Sequence, residues 1–223
     1  MPPEFNNFSD PSLAPNRGPK RSVLSEFKLQ VVTLSAMVSA LWGLEIADQL
    51  IFQHIQRYGL DRFGIIPRTV EGLRGILFAP LLHGDFAHLI ANTVPMIVLG
   101  WLIMLRGVGD WLLVTVITAV AGGFGTWLIG DIFRPGLPGL HIGASGVIFG
   151  YFGFLLARGY FERSFVSIGF SVLVAFLYGG IIFGVLPGQP GISWEGHLCG
   201  FLGGVLAAWL LTKPRQKASD FDI

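Results

Sequence analysis

Residues 143–158 read GASGVIFGYFGFLLAR and residues 196–211 read GHLCGFLGGVLAAWLL. Each is an apolar run broken by one reactive side chain, Ser145 or His197, and by glycines at helical steps: Gly146, Gly150 and Gly153 in the first, Gly200 and Gly204 in the second. Positions three and four apart share a face of a helix. Stripes of small residues let two helices approach backbone to backbone inside a bilayer, where apolar side chains gain little by leaving lipid. The two stretches therefore predict helices that press together, with the serine on one and the imidazole on the other.

Working outward, the rest of the chain fits a membrane setting. Of its 223 residues 52% are hydrophobic and 13% charged, and the mean hydropathy is +0.63. The apolar residues gather in runs of about twenty, enough to cross roughly 30 Å of hydrocarbon as a helix. Six spans are read, over 29–52, 88–105, 111–129, a short fourth from 145 to 157 that bears the serine, 165–185 and 196–211. The fold class is thus an all-α polytopic membrane protein with six transmembrane helices. It divides into a mobile tail (1–28), a membrane domain (29–212) and a C-terminal tail (213–223). Net charge is +1, which excludes the broad basic field that nucleic-acid binding requires.

Lys and Arg near span ends are retained in the cytoplasm. With six spans one side collects Arg17, Lys20, Arg21, Lys28, Arg106, Arg158, Arg163, Lys213, Arg215 and Lys217, and the other Arg57, Arg62, Arg68, Arg74 and Arg134. This bias predicts cytoplasmic termini and an outward-facing serine. No organelle presequence is visible, so a bacterial plasma membrane is the expected location. The long outward segment 55–87 reads as interfacial structure. The segment 185–194, with Pro187, Gly188, Pro190 and Gly191, reads as an adjustable lid.

Polar side chains inside spans are costly and call for a partner, a wet cavity or a function. His88 and Asn92 stand four apart on the second span and share a face. Ser145 opens the fourth helix, where backbone N–H groups are unpaired and the dipole favours a developing oxyanion. Its hydroxyl becomes a useful nucleophile only beside a base, and His197 is the base that the glycine stripes bring within reach. Glu45 and Asp48, near the outer end of the first span, read as structural carboxylates or as members of a proton relay. His54 and His141 read as spectators, His141 with an accessory part open to it four residues before the serine. The single cysteine, Cys199, reads as a packing residue.

Three motifs, His83-Gly-Asp-Phe-Ala-His88-Leu-Ile-Ala-Asn92, Gly143-Ala-Ser145-Gly146 with Gly150, and Gly196-His197 with Gly200 and Gly204, on the second, fourth and sixth spans, resemble the rhomboid intramembrane serine proteases. The resemblance covers roughly residues 70 to 210. It implies a Ser145–His197 dyad without a carboxylate, and an oxyanion hole from His88, Asn92 and the Ser145 N–H. It gives accessory places to His83, to Gly143 of the serine motif and to Phe149, which would pack on the imidazole. It also makes the fifth span, with Phe165, Phe170, Phe176 and Phe183, the lateral gate. Where the family often has Trp-Arg in the first outward loop, this chain has Leu73-Arg74, which leaves the loop's anchoring open.

The expected function is an intramembrane serine endopeptidase acting in or near transmembrane segments of membrane proteins, with no cofactor and no metal. Its partners would be those substrates and the lipid bilayer; the sequence leaves the oligomeric state open. A metalloprotease would need a pair such as His-Glu-x-x-His, which is missing. The remaining alternative is a non-catalytic rhomboid-like binding protein or a small transporter, although no repeat links 29–130 to 131–211.

Overall fold

The computed structural model describes residues 22–133, 139–189 and 191–212. Residues 1–21 of the first tail, the C-terminal tail, Arg134, Pro135, Pro138 and Pro190 lie outside the described residues, whereas 23–28, read as part of the mobile tail, belong to the first helix. Among those described, every long element is helical, and the β-type pairing is one isolated bridge between Ile65 and His141.

Helix α1 (Val23–Ala47) begins earlier than the sequence reading placed its first span, because the Ser22 side chain accepts from the Ser25 N–H and caps it. It runs on through a π-helical turn (Asp48–Phe52) and a last short turn (Gln53–Ile55). Helix α2 (Phe86–Met104) is capped by Asp85, whose carboxylate accepts from the His88 N–H at 2.7 Å. It is followed by α3 (Val108–Ile129), α4 (Ser145–Glu162), α5 (Phe165–Tyr178) and α6 (Trp194–Thr212). The fifth span is not one continuous α-helix. After Tyr178 it tightens into 3-10 turns over Gly179–Val185, starting at a pair of glycines that hold a helix weakly.

Five helices are long and apolar enough to cross a membrane: α1 with its continuation, α2, α3, α5 with its 3-10 tail, and α6. Helix α4 is not among them, and its place explains why. Tyr151, Phe152, Phe154 and Leu155 are almost fully buried, since its neighbours rather than lipid surround it. It also extends to Glu162 rather than ending at 157. Beyond its last apolar turn Glu162 bonds Arg106, Arg158 (2.8 Å) and the Ser167 hydroxyl, and Arg106 also pairs with Asp110 at 2.8 Å. Arg106 thus ties the turn between α2 and α3 to the end of α4, while Arg158 pairs with Glu162 one turn along the same helix.

The glycine stripes meet as their spacing predicts. A methyl group on Gly200 would fall 2.0 Å from the Gly146 carbonyl oxygen, one on Gly204 1.9 Å from that of Gly150, and one on Gly150 2.2 Å from Thr118 Cγ2 of α3. No side chain fits between α4 and α6 here, so their separation is set by backbone alone. Cys199 packs against Gly125 of α3 in the same manner.

The segment before α2 folds over the bundle as short helical turns, Asp61–Phe63, Glu71–Arg74, Gly75–Phe78 and Ala79–Leu81. Arg74 lies over the Phe63 ring at 4.8 Å and donates to the Arg62 carbonyl at 2.9 Å. Arg74 thus has an aromatic contact in Phe63 rather than in its chain neighbour Leu73. Glu45 and Asp48 are buried and structural. Asp48 accepts from the Leu60 N–H (2.5 Å) and Gln53 (3.1 Å), while Glu45 accepts from Gln49 (2.8 Å), which also reaches the Gly84 carbonyl. Asp61 nearby is pushed up to about 7 by burial and by the charges of Asp48 and Glu45.

His83, at the end of this segment, is 1% exposed. Neither ring nitrogen has a hydrogen-bond partner of full geometry, and only the Leu81 main chain works to raise its pKa. Burial, with His88 second, lowers it from 6.5 to about 4. Below pH 6.5 the unfolded chain therefore takes up a proton that the fold refuses until about pH 4, so stability is lost across that window and is unaffected above it. A difference of this size is worth on the order of 3 kcal/mol.

Two outcomes are expected in thermal unfolding of the detergent-solubilised protein. Gly200→Ala should cost about 3 kcal/mol or more, because the methyl group overlaps a main-chain oxygen that cannot rotate away. His83→Phe should flatten the fall in Tm between pH 6.5 and 4 relative to wild type, leaving the slope above pH 7 unchanged.

Candidate active site

Ser145 is the first residue of α4, and the turn before it is irregular. Gly143 has φ +113°, a conformation natural to glycine. Its N–H donates to the Ala79 carbonyl at 2.9 Å, and the next turn closes with the Val147 and Ile148 N–H groups on the Ala144 carbonyl. The N–H groups of the opening residues have no intrahelical acceptor, so the serine sits where free donors gather.

His197 lies one turn into α6, its N–H donating to the Ser193 carbonyl at 3.1 Å. Its ring nitrogens have two different neighbours: Nε2 is 2.7 Å from Ser145 Oγ, and Nδ1 is 2.9 Å from the Gly184 carbonyl oxygen. A carbonyl only accepts, so Nδ1 carries the ring proton and Nε2 presents its lone pair to the hydroxyl. The Gly184 carbonyl thus fixes the tautomer, as a carboxylate does in a Ser-His-Asp arrangement. The Phe149 ring stacks on the imidazole at 4.0 Å and 9°. Gly184 has to be glycine, since a methyl group there would lie 2.7 Å from Phe149 Cζ and 3.1 Å from His197 Nδ1.

His88 and Asn92 face the serine turn from α2. A Cβ on Gly143 would meet His88 Nε2 at 2.7 Å and Asn92 Nδ2 at 3.8 Å. Asn92 Nδ2 is buried without a partner, a donor held ready for an acceptor. His83 stands behind His88, ring centroids 5.1 Å apart and edge to face. All seven residues singled out from the sequence, Ser145, His197, His88, Asn92, His83, Phe149 and Gly143, therefore gather in one region. A cavity of about 670 Å³ touches Ser145, His197, His88 and Asn92, and residues 187–188 and 191–193 form part of its wall.

Two features went unread in the sequence. The first is Gly184, whose contribution is a main-chain oxygen and leaves no mark in residue type. The second is the set of partners, Asp131, Ser193 and Glu195, gathered on the cavity wall around His141, for which the sequence left an accessory part open. His141 Nδ1 is 2.8 Å from Ser193 Oγ and Nε2 is 3.2 Å from Asp131 Oδ2; that oxygen also accepts from the Gly139 N–H at 2.5 Å, and the Asp131 N–H donates to Glu195 at 3.0 Å. Two buried carboxylates at span ends, Asp131 and Glu195, were the available signal. His54 is exposed in the last short turn after α1.

Of the phenylalanines on the fifth span, Phe165, Phe176 and Phe183 are 95%, 85% and 63% exposed. This helix is the least enclosed of the apolar five.

A family model described as Rhomboid domain matches residues 71–214. An uncharacterized protein of Mycobacterium tuberculosis (strain ATCC 25618 / H37Rv) is 46% identical over 189 residues, 83% of this chain and 77% of the relative. A second, from Mycobacterium leprae (strain TN), is 44% identical over 189 residues, 83% of this chain and 73% of its own length. A Bacillus subtilis (strain 168) protein named "Putative rhomboid protease YdcA" is 30% identical over 140 residues, 61% of this chain and 66% of the relative. With the motifs and the helical order in place, this extent of matching means that the chain belongs to the rhomboid family.

Proposed function

We propose that this protein is an intramembrane serine endopeptidase that cleaves membrane proteins in or near their transmembrane segments, with Ser145 as nucleophile and His197 as general base. The observation that carries the reading is the 2.7 Å contact between Ser145 Oγ and His197 Nε2, with Nδ1 committed to the Gly184 carbonyl. The name of the Bacillus subtilis relative points to the same class of activity.

In this mechanism Ser145 Oγ attacks the scissile carbonyl carbon as its proton passes to Nε2 of His197. The imidazolium keeps its Nδ1–H on Gly184. The negative charge that forms on the carbonyl oxygen is met by the Ser145 N–H, the Asn92 amide and His88. Collapse expels the amine, which leaves with the proton from Nε2, and the acyl group stays on Ser145. Water from the cavity then attacks the ester carbon as it gives a proton to His197; the ester C–O bond breaks, His197 returns that proton to Ser145 Oγ, and the carboxylic acid product leaves. A helical substrate hides its peptide bonds in hydrogen bonds, so residues that unwind it near the cut favour cleavage. The protein would work in a bacterial plasma membrane with both termini cytoplasmic, the cavity opening outward, and α5 as the side from which substrate enters.

A fluorophosphonate probe applied to membranes tests the nucleophile. Wild type should be labelled, and both Ser145→Ala and His197→Ala should lose the label; labelling that persists in Ser145→Ala would refute the assignment. Asn92→Ala should lower kcat about 100-fold with KM nearly unchanged, because its amide acts only on the developing oxyanion. Steady-state cleavage of a reconstituted transmembrane substrate reads that split.

A further inference from the structure

The polar group on the cavity wall connects the two segments that carry the proposed dyad. His141 stands four residues before Ser145, and Ser193 four before His197. The His141–Ser193 hydrogen bond (2.8 Å) and the Ser145–His197 hydrogen bond (2.7 Å) therefore join the same two stretches of chain, one step apart. The glycine stripe holds α4 and α6 together on the inward side of the dyad, at Gly146 with Gly200 and Gly150 with Gly204. The His141–Ser193 contact closes the other side.

Each member is held from outside the pair. The His141 main chain is bridged to Ile65, N–H to carbonyl in both directions at 2.9 Å. The Asp131 carboxylate only accepts, so His141 Nε2 carries the proton toward it, and Nδ1 is left to accept the Ser193 hydroxyl. Asp131 has φ +55°, a left-handed conformation that a non-glycine residue keeps when its surroundings over-determine it. The Gly139 N–H on its carboxylate and Glu195 on its own N–H do so here. Glu195 and Ser193 both lie at the start of α6, so this helix is gripped twice.

We infer that Asp131, His141 and Ser193 form a positioning clasp that sets the distance and alignment of His197 against Ser145. The inference rests on the dyad reading above. Ser193 and His141 act through Ser145 and His197 and touch no reacting atom. Without the Ser193 hydroxyl only the Glu195 grip remains, which ties the start of α6 to Asp131 and not to the segment that carries Ser145, so the reactive contact lengthens while the helices stay packed at their glycines.

The test compares wild type, Ser193→Ala and Ser193→Thr, full length in detergent and in liposomes. Three quantities are measured: the rate of Ser145 phosphonylation by a small fluorophosphonate, kcat and KM on a transmembrane substrate, and Tm. Ser193→Ala should slow phosphonylation and kcat by about tenfold or more, with KM and Tm close to wild type. Ser193→Thr, which keeps the hydroxyl, should restore both rates. Equal rates in Ser193→Ala and wild type overturn the clasp. So does a slowed rate that tracks a lowered Tm and is not rescued by threonine, which would assign Ser193 to folding alone. A phosphonate found on Ser193 in Ser145→Ala also overturns it, by making that serine a nucleophile in its own right. Wild type that takes no label at Ser145 instead removes the dyad, and the clasp falls with it.

Discussion

The approach of α4 to α6 at their glycines is the constraint on which the rest of the structure depends. A serine side chain is short, and an imidazole on a facing helix reaches it only if the two backbones nearly touch. Within a bilayer little drives helices together except close packing and interhelical hydrogen bonds. The carbonyl oxygens of Gly146 and Gly150 lie where Cβ atoms of Gly200 and Gly204 would otherwise be. The distance between α4 and α6 is consequently fixed by atoms with no rotational freedom. The hydroxyl and imidazole inherit that precision at the Ser145 end of the stripe.

Orientation of the imidazole is handled without a carboxylate, and the membrane gives a physical reason. Burying an ionised group costs several kcal/mol even after relaxation, whereas a carbonyl brings a dipole and no net charge. Gly184 O selects the tautomer and the Phe149 ring fixes the plane. What such a site gives up is the electrostatic support a carboxylate lends to the imidazolium. Carboxylates are present a short way off, yet Asp131 and Glu195 are occupied in holding His141 and the start of α6.

Much of this was legible in the sequence because the relevant signals are side chains at helical spacing. Ser145, His197, His88 and Asn92 were recognisable as polar residues on apolar helices, and the glycine stripes as a packing code. The parts that escaped share one property: their function is carried by backbone or by contacts between distant loops. Gly184 acts through its carbonyl, and its residue type records only the absence of a side chain beside Phe149. Phe63 substitutes for the missing aromatic next to Arg74 from a position the linear motif does not include. Asp131 and Ser193 meet His141 only after two segments fold over the same cavity. Helix α4 runs past the boundary at 157 because Arg158, a charge that in the sequence follows the apolar run, pairs with Glu162 one turn further along the same helix.

One tension in the architecture concerns α5. It is the least enclosed of the apolar helices, so it is the element that moves most cheaply if substrate enters from lipid. Its 3-10 tail also carries Gly184, the group that orients His197. A rigid α5 would drag that carbonyl away from the imidazole at the moment the substrate arrives. The break at Gly179 and Gly180 resolves the conflict. Both glycines face open space, so packing does not demand them, and a glycine pair at a change of helix type is a place where backbone rotation is cheap. Tilt of the α-helical part up to Tyr178 can be absorbed there, while the tail stays seated on Phe149 and His197. If substrate enters from lipid as proposed, this change of helix type separates the exposed α-helical part from the turns that carry Gly184.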